Sequence, residues 1–546
     1  MSNDLMLEAA GELDKRGQIV NAYLNLKDKL ARRVRMNDLV EAGFTKDMVV
    51  HHFRNLAKLE HEARALDPDA FHDVEISNFL DERYRQTIKE ELLQYRRFIV
   101  TTAISGGHVN EAFLASAQNY CSRNNAALLV MIAPDQVNGK VFGGSHGSLD
   151  KKILSTPHCF LVPEGTYLNS NIRLSMLKVP VRQVNPLSGL QRTGNRSKST
   201  IYASPKQMLE CVAVAKNKLP HALMTTGAIT NPDYVSDDYA IRKSEFVANH
   251  DHVMGAIVVE VQDDNIFHYR QVQLVGEGFV DLGVRYQADG TAIAMAPAAF
   301  VLGDWHATET DPVARACWED VVGALRPNQL LLHDAFSGVS INHHEAENRV
   351  LKAQLAAKSQ ISLDAELQHL ADDINHLLTL VDKVVLVKSN HDEFLDRYLK
   401  TLRFETAESH NILTMLKSAT AMVEHGVDPL EFNIAPKLKD TQRCVFLSRD
   451  ESYQIGGIEL GEHGDKGPNG SRGGLAGLEK SHDRCVVGHS HTPRIIRGAW
   501  QVGTSSSLSL AYNKGPSSWL HTSCLVYEDG SRQLINVIDG KWRLVL

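Results

Sequence analysis

A chain of 546 residues, 43% hydrophobic and 23% charged, has an ordinary globular composition and enough length for about three domains. No run approaches the roughly 18 apolar residues of a membrane-spanning helix, the start Met1-Ser2-Asn3-Asp4-Leu5 reads as no signal peptide, and seven scattered cysteines without a Cys-x-x-Cys pair point to reduced thiols in a cytoplasmic setting. A net charge of −8 excludes a protein that is basic throughout, so any contact with a polyanion must be a local patch.

Residues 1–95 read as helical. Leu24, Leu26, Leu30 and Val34 recur at a loosely helical spacing. Gly43 is placed to end one helix and Thr45 to cap the next, a spacing that resembles a helix-turn-helix. On that reading His51, His52, Arg54 and Lys58 lie on or near the exposed face, and Arg54 and Lys58 are candidate DNA contacts. The alternatives are a small helical bundle for self-association, which makes a homo-oligomer the expected assembly, and a purely scaffolding role.

Residues 96–290 read as a middle α/β region. Strand-like runs at 97–102 and 127–132 flank a helical stretch at 109–119, a strand-helix-strand unit, and further strands are expected at 159–162, 222–226 and 256–261. The region can pack as its own layer or extend the sheet of the C-terminal region; the pattern leaves both open. The glycines at 105–108 and 143–147 fit no phosphate-binding fingerprint and read as turns. Between Arg173 and Lys206 lie seven cations, Arg173, Lys178, Arg182, Arg192, Arg196, Lys198 and Lys206, with no Asp or Glu among them. Such a block in an acidic protein is a candidate phosphate-backbone contact, with Arg182, Arg192, Arg196 and Lys198 at its Gly/Ser-rich centre.

The C-terminal region, 291–546, carries the chemistry. Five apolar, strand-like runs each stop just before metal-capable residues: Asp304 and His306; His333 and Asp334; Asn390, His391 and Asp392; His463; and His489 and His491. Sites in α/β sheets form beyond the carboxyl ends of strands, and alternation along extended backbone turns Ser490 away from its two histidines. The intervening stretch 345–380 has apolar residues at helical spacing and reads as core packing.

These blocks, Asp304-Trp305-His306, His333-Asp334, Ser389-Asn390-His391-Asp392, His463-Gly464 and Gly488-His489-Ser490-His491, resemble those of the calcineurin-like metallophosphoesterase superfamily over roughly residues 295–510. Two departures stand out: His333 and Ser389 replace glycines of the family pattern. The resemblance implies an α/β fold with a layered β-sheet core and flanking helices, and two divalent metal ions. It assigns Asp304, His306 and His491 to the first ion, Asn390, His463 and His489 to the second, and Asp334 as the bridge. Mixed imidazole and carboxylate donors suit Mn²⁺ best, with Fe²⁺, Zn²⁺ or Mg²⁺ as alternatives. A water between the ions becomes the hydroxide nucleophile. His391 occupies the family position that protonates the leaving oxygen or steadies the transition state, and Asp392 is expected to orient its ring. His333, His343, His344 and Arg494 are expected bystanders, and the loop from Gly464 to Gly474 either closes over substrate or is a plain surface excursion.

The core does not choose among phosphoesters; the additions must. The helix-turn-helix spacing and the basic block favour DNA, and the layout is similar to that of host-DNA-degrading nucleases of large tailed phages, which implies a DNase working in the bacterial cytoplasm without a membrane partner. The rival expectations are a phosphatase or small-nucleotide phosphodiesterase, and a non-enzymatic DNA-binding or assembly protein.

Overall fold

Four strands, Ala299–Val301, Gln329–His333, Lys383–Val387 and Cys444–Leu447, lie parallel and adjacent in chain order. Side chains alternate between two buried faces: Val301, Leu331 and Val385 point into the central core, while Phe300, Leu330, Leu332 and Val384 pack under helices. Burial on both faces is why these strands read as continuous apolar runs. Antiparallel Thr522–Val526 and Arg532–Asn536 complete a six-stranded sheet beside Ala299–Val301. The computed structural model describes residues 3–30, 32–76, 82–133, 147–177, 179–180, 183–193, 198–216, 218–234, 243–342, 345, 347–401, 409–510 and 513–545, with residues 3–14, 75 and 193 by backbone alone.

A ten-stranded sheet runs from Gln454–Ile455 through Ile458–Glu459, Cys485–Val487, Ala499–Gln501 and Arg494–Ile496 into Gln207–Val212, His221–Thr226, Ser199–Tyr202, Ile172–Ser175 and Tyr167–Asn169. The join is the antiparallel pairing of Ile495 with Leu209. A further sheet of five strands contains Arg97–Ile104, Ala126–Ala133, Cys159–Leu161, Gly255–Val261 and Phe267–Gln273. Both arrangements left open for the middle region therefore occur: strands within 167–226 extend the sheet of the C-terminal region, and the others form their own. The sequence boundary at residue 290 falls between segments that share one sheet.

One hydrophobic cluster joins the three largest sheets, with Val301 and Leu331 of the first, Val486 and Trp500 of the second and Val100 and Val259 of the third. The outer faces are covered by helices: Pro312–Leu325 and Leu363–Leu377 on the six-stranded sheet, Glu111–Asn124 on the five-stranded one, and Leu475–His482 on the ten-stranded one. This is a layered α/β protein. The helical stretch expected at 345–380 is two helices, Arg349–Ala357 and Leu363–Leu377, because Ser362 caps the second by accepting from the Ala365 N–H.

The helices Asn3–Lys29, Met36–Glu41, Lys46–Phe53 and Leu56–Leu66 enclose a separate small core of Ile19, Val20, Tyr23, Leu39, Val49, Phe53 and Leu59. Leu24, Leu26 and Leu30 flank it half-buried. Gly43 has a φ of +97° and Thr45 accepts from the Met48 N–H, the turn expected from the sequence. This unit is stitched to the body by the short antiparallel pairing of Asp73–Glu75 with Ser148–Asp150.

Candidate metal centre

Each expected ligand sits just past the carboxyl end of a strand. Asp304 follows Ala299–Val301, Asp334 follows Gln329–His333, Asn390 follows Lys383–Val387, His463 follows Ile458–Glu459, and His489 follows Cys485–Val487. The first three strands belong to the six-stranded sheet and the last two to the ten-stranded one, so the site lies where two packed sheets end together.

The side chains converge as two half-sites around one carboxylate. Asp334 places Oδ2 3.7 Å from His306 Nε2 and Oδ1 3.4 Å from His463 Nε2. On one side His306 Nε2 lies 3.2 Å from His491 Nε2, which lies 3.1 Å from Asp304 Oδ2. On the other, Asn390 Oδ1 lies 3.1 Å from His463 Nε2 and 3.0 Å from His489 Nδ1. Metal–ligand bonds of about 2.0–2.2 Å put neighbouring donors at about 3.0–3.5 Å around one ion, so the donor set fits a pair of divalent cations. The ligand atoms of Asp304, Asp334 and His463, and those of His306, Asp334 and His391, lie within 4.8 Å of one another.

The local backbone turns sharply to achieve this. His306, Asp334, His489 and His491 have φ of +47°, +45°, +77° and +58°, a left-handed region uncommon for non-glycine residues, though Asp and His enter it more readily than most. Gly488 permits the closest approach: a Cβ there would lie 2.3 Å from Asp304 Oδ1. Ser490 is exposed, as expected, but not by strand alternation, because His489 and His491 are left-handed and the strand has already ended at Val487.

Asp304, His306, Asp334, His463 and His491 are at most 3% exposed. Burial pushes His306 down to about 3, reinforced by the neighbouring His391, and lowers His489 likewise. For Asp334 burial opposes ionisation, but the charges of His463 and His391 hold the carboxyl well below its ordinary value. Burial also disfavours a charged His463, yet Asp334 outweighs it and raises this imidazole to about 9. Asp304 is lowered in the same way as Asp334, burial being overcome by its hydrogen bond with His491. The centre thus combines ionised carboxylates, two imidazoles, His306 and His489, kept neutral by burial, and one, His463, whose proton a metal would have to displace.

His391 is present at the rim, half-buried, its ring 4.6 Å from that of His306 and stacked on Phe394 at 4.5 Å. Its orientation corrects one expectation. Nδ1 lies 2.9 Å from the Ser337 carbonyl oxygen, whereas Asp392 is turned away. Asp392 Oδ2 accepts from the Ser389 hydroxyl and N–H, and Oδ1 from the Phe336 N–H, so this carboxylate braces the loops of Asn390 and Asp334 and does not orient His391. The two departures from the family pattern find uses here. Ser389 supplies that brace, and His333, fully buried, places Nδ1 3.4 Å from Nδ1 of His463 behind the site. Burial lowers His333 to about 4, so it is a neutral neighbour of His463. Arg494 is engaged by Glu210 at 3.0 Å. His343 and His344 lie outside the described residues.

Two participants had no readable sequence signal: the Ser337 carbonyl, which is backbone, and Trp519, whose ring lies 4.1 Å from that of His491. The loop after His463 is not a loose excursion. Arg449 grips Asp465 with two bonds of 2.7 Å, Lys466 reaches Glu393 at 3.2 Å, and the backbones of Lys466 and Arg472 pair in an antiparallel β-bridge.

The basic block divides. Lys206 is buried in an ion pair with Asp251 at 2.8 Å, so it is removed from any polyanion surface, and Arg173 is half-buried beside Thr200. Arg192 is exposed on the short helix Leu190–Thr193, and the Lys198 ammonium lies 4.6 Å from the Tyr167 ring centre. Glu210 accepts from Gln191 and from Arg494, tying the helix of Arg192 to the strand that follows His491. Lys178, Arg182 and Arg196 lie outside the described residues. Arg54 and Lys58 are both exposed but on different elements: Arg54 ends Lys46–Phe53, and Lys58 belongs to Leu56–Leu66. The expected recognition helix is eight residues long and buries Val49 and Phe53.

The chain is 28% identical over 480 residues to Protein A1 of Escherichia phage T5, an alignment covering 83% of this chain and 84% of that protein. It is thus similar to a phage protein over most of its length. No family model matches it, and no solved structure matches it. No helix among the described residues is long and apolar enough to cross a membrane.

Proposed function

We propose that the chain is a dinuclear-metal phosphodiesterase that hydrolyses DNA, with Mn²⁺ the best-suited ion. The observation that carries this reading is the shared carboxylate: Asp334 offers one oxygen to each of two buried half-sites built from Asp304, His306 and His491, and from Asn390, His463 and His489. When bound, two divalent ions supply charge neutralisation for a phosphate and a more acidic water.

The chain's own residues do the rest. The buried donors hold the centre rigid and exclude bulk water, which strengthens every electrostatic contact with a phosphate. With Nδ1–H donated to the Ser337 carbonyl, His391 keeps Nε2 to hold a proton and release it to a leaving oxygen. Arg192 and Lys198 are available cations for a long polyanion, and Glu210 couples the helix of Arg192 to the strand beyond His491. The likeness to a phage protein agrees with the layout resemblance to phage nucleases.

The test uses supercoiled and linear DNA with Mn²⁺, Mg²⁺ or chelator, with Asp334→Asn alongside. Metal-dependent loss of DNA that the variant cannot reproduce is the expected result. Survival of both DNA forms while a simple phosphoester is hydrolysed would replace this reading with the small-substrate one. If neither DNA nor simple phosphoesters are cleaved, the chain is a binding protein.

A further inference from the structure

A second metal-capable cluster lies away from this centre, at the seam between the N-terminal helices and the five-stranded sheet. His72 immediately precedes the strand Asp73–Glu75, Asp150 closes the strand Ser148–Asp150, and the two strands pair with Asp73 opposite Asp150. His108 stands beyond the carboxyl end of Arg97–Ile104, just before the helix Glu111–Asn124. Three remote points of the chain thus deliver two imidazoles and a carboxylate to one spot, their ligand atoms all within 4.8 Å of one another.

The cluster has the parts of a site. The rings of His72 and His108 stack with centroids 3.5 Å apart and planes 12° from parallel, so one ring must pivot for both to present an in-plane nitrogen to the same ion. Asp150 is 3% exposed, and its carboxylate is held by the Val109 N–H at 3.0 Å and the Lys152 N–H at 2.9 Å. Each of those oxygens keeps a further lone pair. Both ring nitrogens of His72 and Nε2 of His108 are buried without a hydrogen-bond partner among the described residues. Buried imidazole nitrogens are normally satisfied. The nearby carboxylate of Asp73 does not serve, because Arg64 occupies both its oxygens at 3.0 and 3.2 Å and it stands 3.6 Å from His72 Nδ1.

We propose that His72, His108 and Asp150 bind one divalent first-row transition ion, of the Zn²⁺ class, as a structural tie between the N-terminal helices and the body of the protein. Two nitrogen donors and one oxygen exclude a calcium- or magnesium-type oxygen cage and suit Zn²⁺ or Co²⁺, with a water completing four-coordination. The location gives the ion its task. The helices have their own small core, and the links from them to the body include polar ones, such as Arg33 to Ser105 and Arg35 to Asp233. An ion here joins the residue entering Asp73–Glu75 to two points of the body.

The experiment is metal counting on the full chain by equilibrium dialysis against Zn²⁺ and Co²⁺. His72→Gln and His108→Gln are each expected to bind one equivalent fewer per chain than the parent, whatever the count at the other centre, and to lose part of the rise in Tm that Zn²⁺ gives the parent. In His108→Cys, a ligand replaces a ligand, and Co²⁺ is expected to produce a new thiolate charge-transfer band that the parent, with its native cysteines, lacks. An unchanged count in either folded Gln variant overturns the proposal. If neither Gln variant folds, the Cys variant decides, and the absence of the new band overturns it. Because the reading is a difference in stoichiometry, loss of DNA cleavage as an activity leaves it standing.

Discussion

His391 turns Nδ1 to the backbone carbonyl of Ser337, 2.9 Å away, and leaves Asp392 to brace the loops beneath it. A proton donated from Nδ1 fixes the tautomer, so Nε2 is the atom free to exchange a proton with substrate.

This separates two residues that adjoin in sequence. His391→Gln is expected to lower kcat on DNA by about 10²–10⁴-fold, the usual worth of a general acid, with metal stoichiometry unchanged. Asp392→Asn is expected to act through the loop of Asn390, weakening metal affinity by about 10–100-fold as other supporting residues do. Steady-state rates at saturating Mn²⁺ check the difference: they should recover in Asp392→Asn and stay low in His391→Gln.

The centre should also bind metal in competition with a proton. In the metal-free protein Asp334 raises His463 to about 9 against the opposing effect of burial. The pKa is above its unfolded value of about 6.5, so the His463–Asp334 pair stabilises the metal-free fold below that pH, and this contribution is lost as pH rises through the folded value. A ligating imidazole must be neutral. Affinity for Mn²⁺ is therefore expected to rise with pH across this window, with proton release on binding, and calorimetry in buffers of different ionisation enthalpy checks it.

Away from the site, Glu260, Arg270 and Asp281 form a buried ion cluster, with Arg270 2.8 Å from Glu260 and 2.7 Å from Asp281. Burial opposes a charged Glu260, but Arg270 overrides it and holds the carboxyl down to about 2. The folded pKa is depressed, so this stabilisation is present above the unfolded carboxylate value and is lost as pH falls through the folded one. Glu260→Gln should destabilise the fold by about 3–5 kcal/mol, as when one partner of a buried pair is removed. Denaturant midpoints at neutral pH and near pH 3 should show the variant's deficit shrinking in acid.

For the basic residues, the readout is the salt dependence of DNA binding. Each phosphate contact contributes about 0.9 to the slope of log K against log salt. Replacing Arg192 and Lys198 together by Ala is expected to reduce that slope by roughly one to two, whereas Lys206→Met should leave it unchanged, because that ammonium is already paired with Asp251. An unchanged slope in the Arg192/Lys198 variant would remove this surface from DNA contact.

What the sequence determined by itself is the candidate centre. Asp304, Asp334, Asn390, His463 and His489 each lie just past an apolar run, and a buried strand that ends at a polar residue is a local signal carried by consecutive side chains. The turn of Gly43 and Thr45 was legible for the same reason. Tertiary structure decided everything that depends on distant partners. Lys206 reads as a free cation until Asp251 arrives from 45 residues away, and His391 finds a carbonyl 54 residues back that no side-chain pattern encodes. The pairing of Ile495 with Leu209 carries one sheet across the middle and C-terminal regions, and His72, His108 and Asp150 meet only because two short strands pair across the seam. Hydrophobic periodicity reports which face of an element is buried, but not which other element buries it.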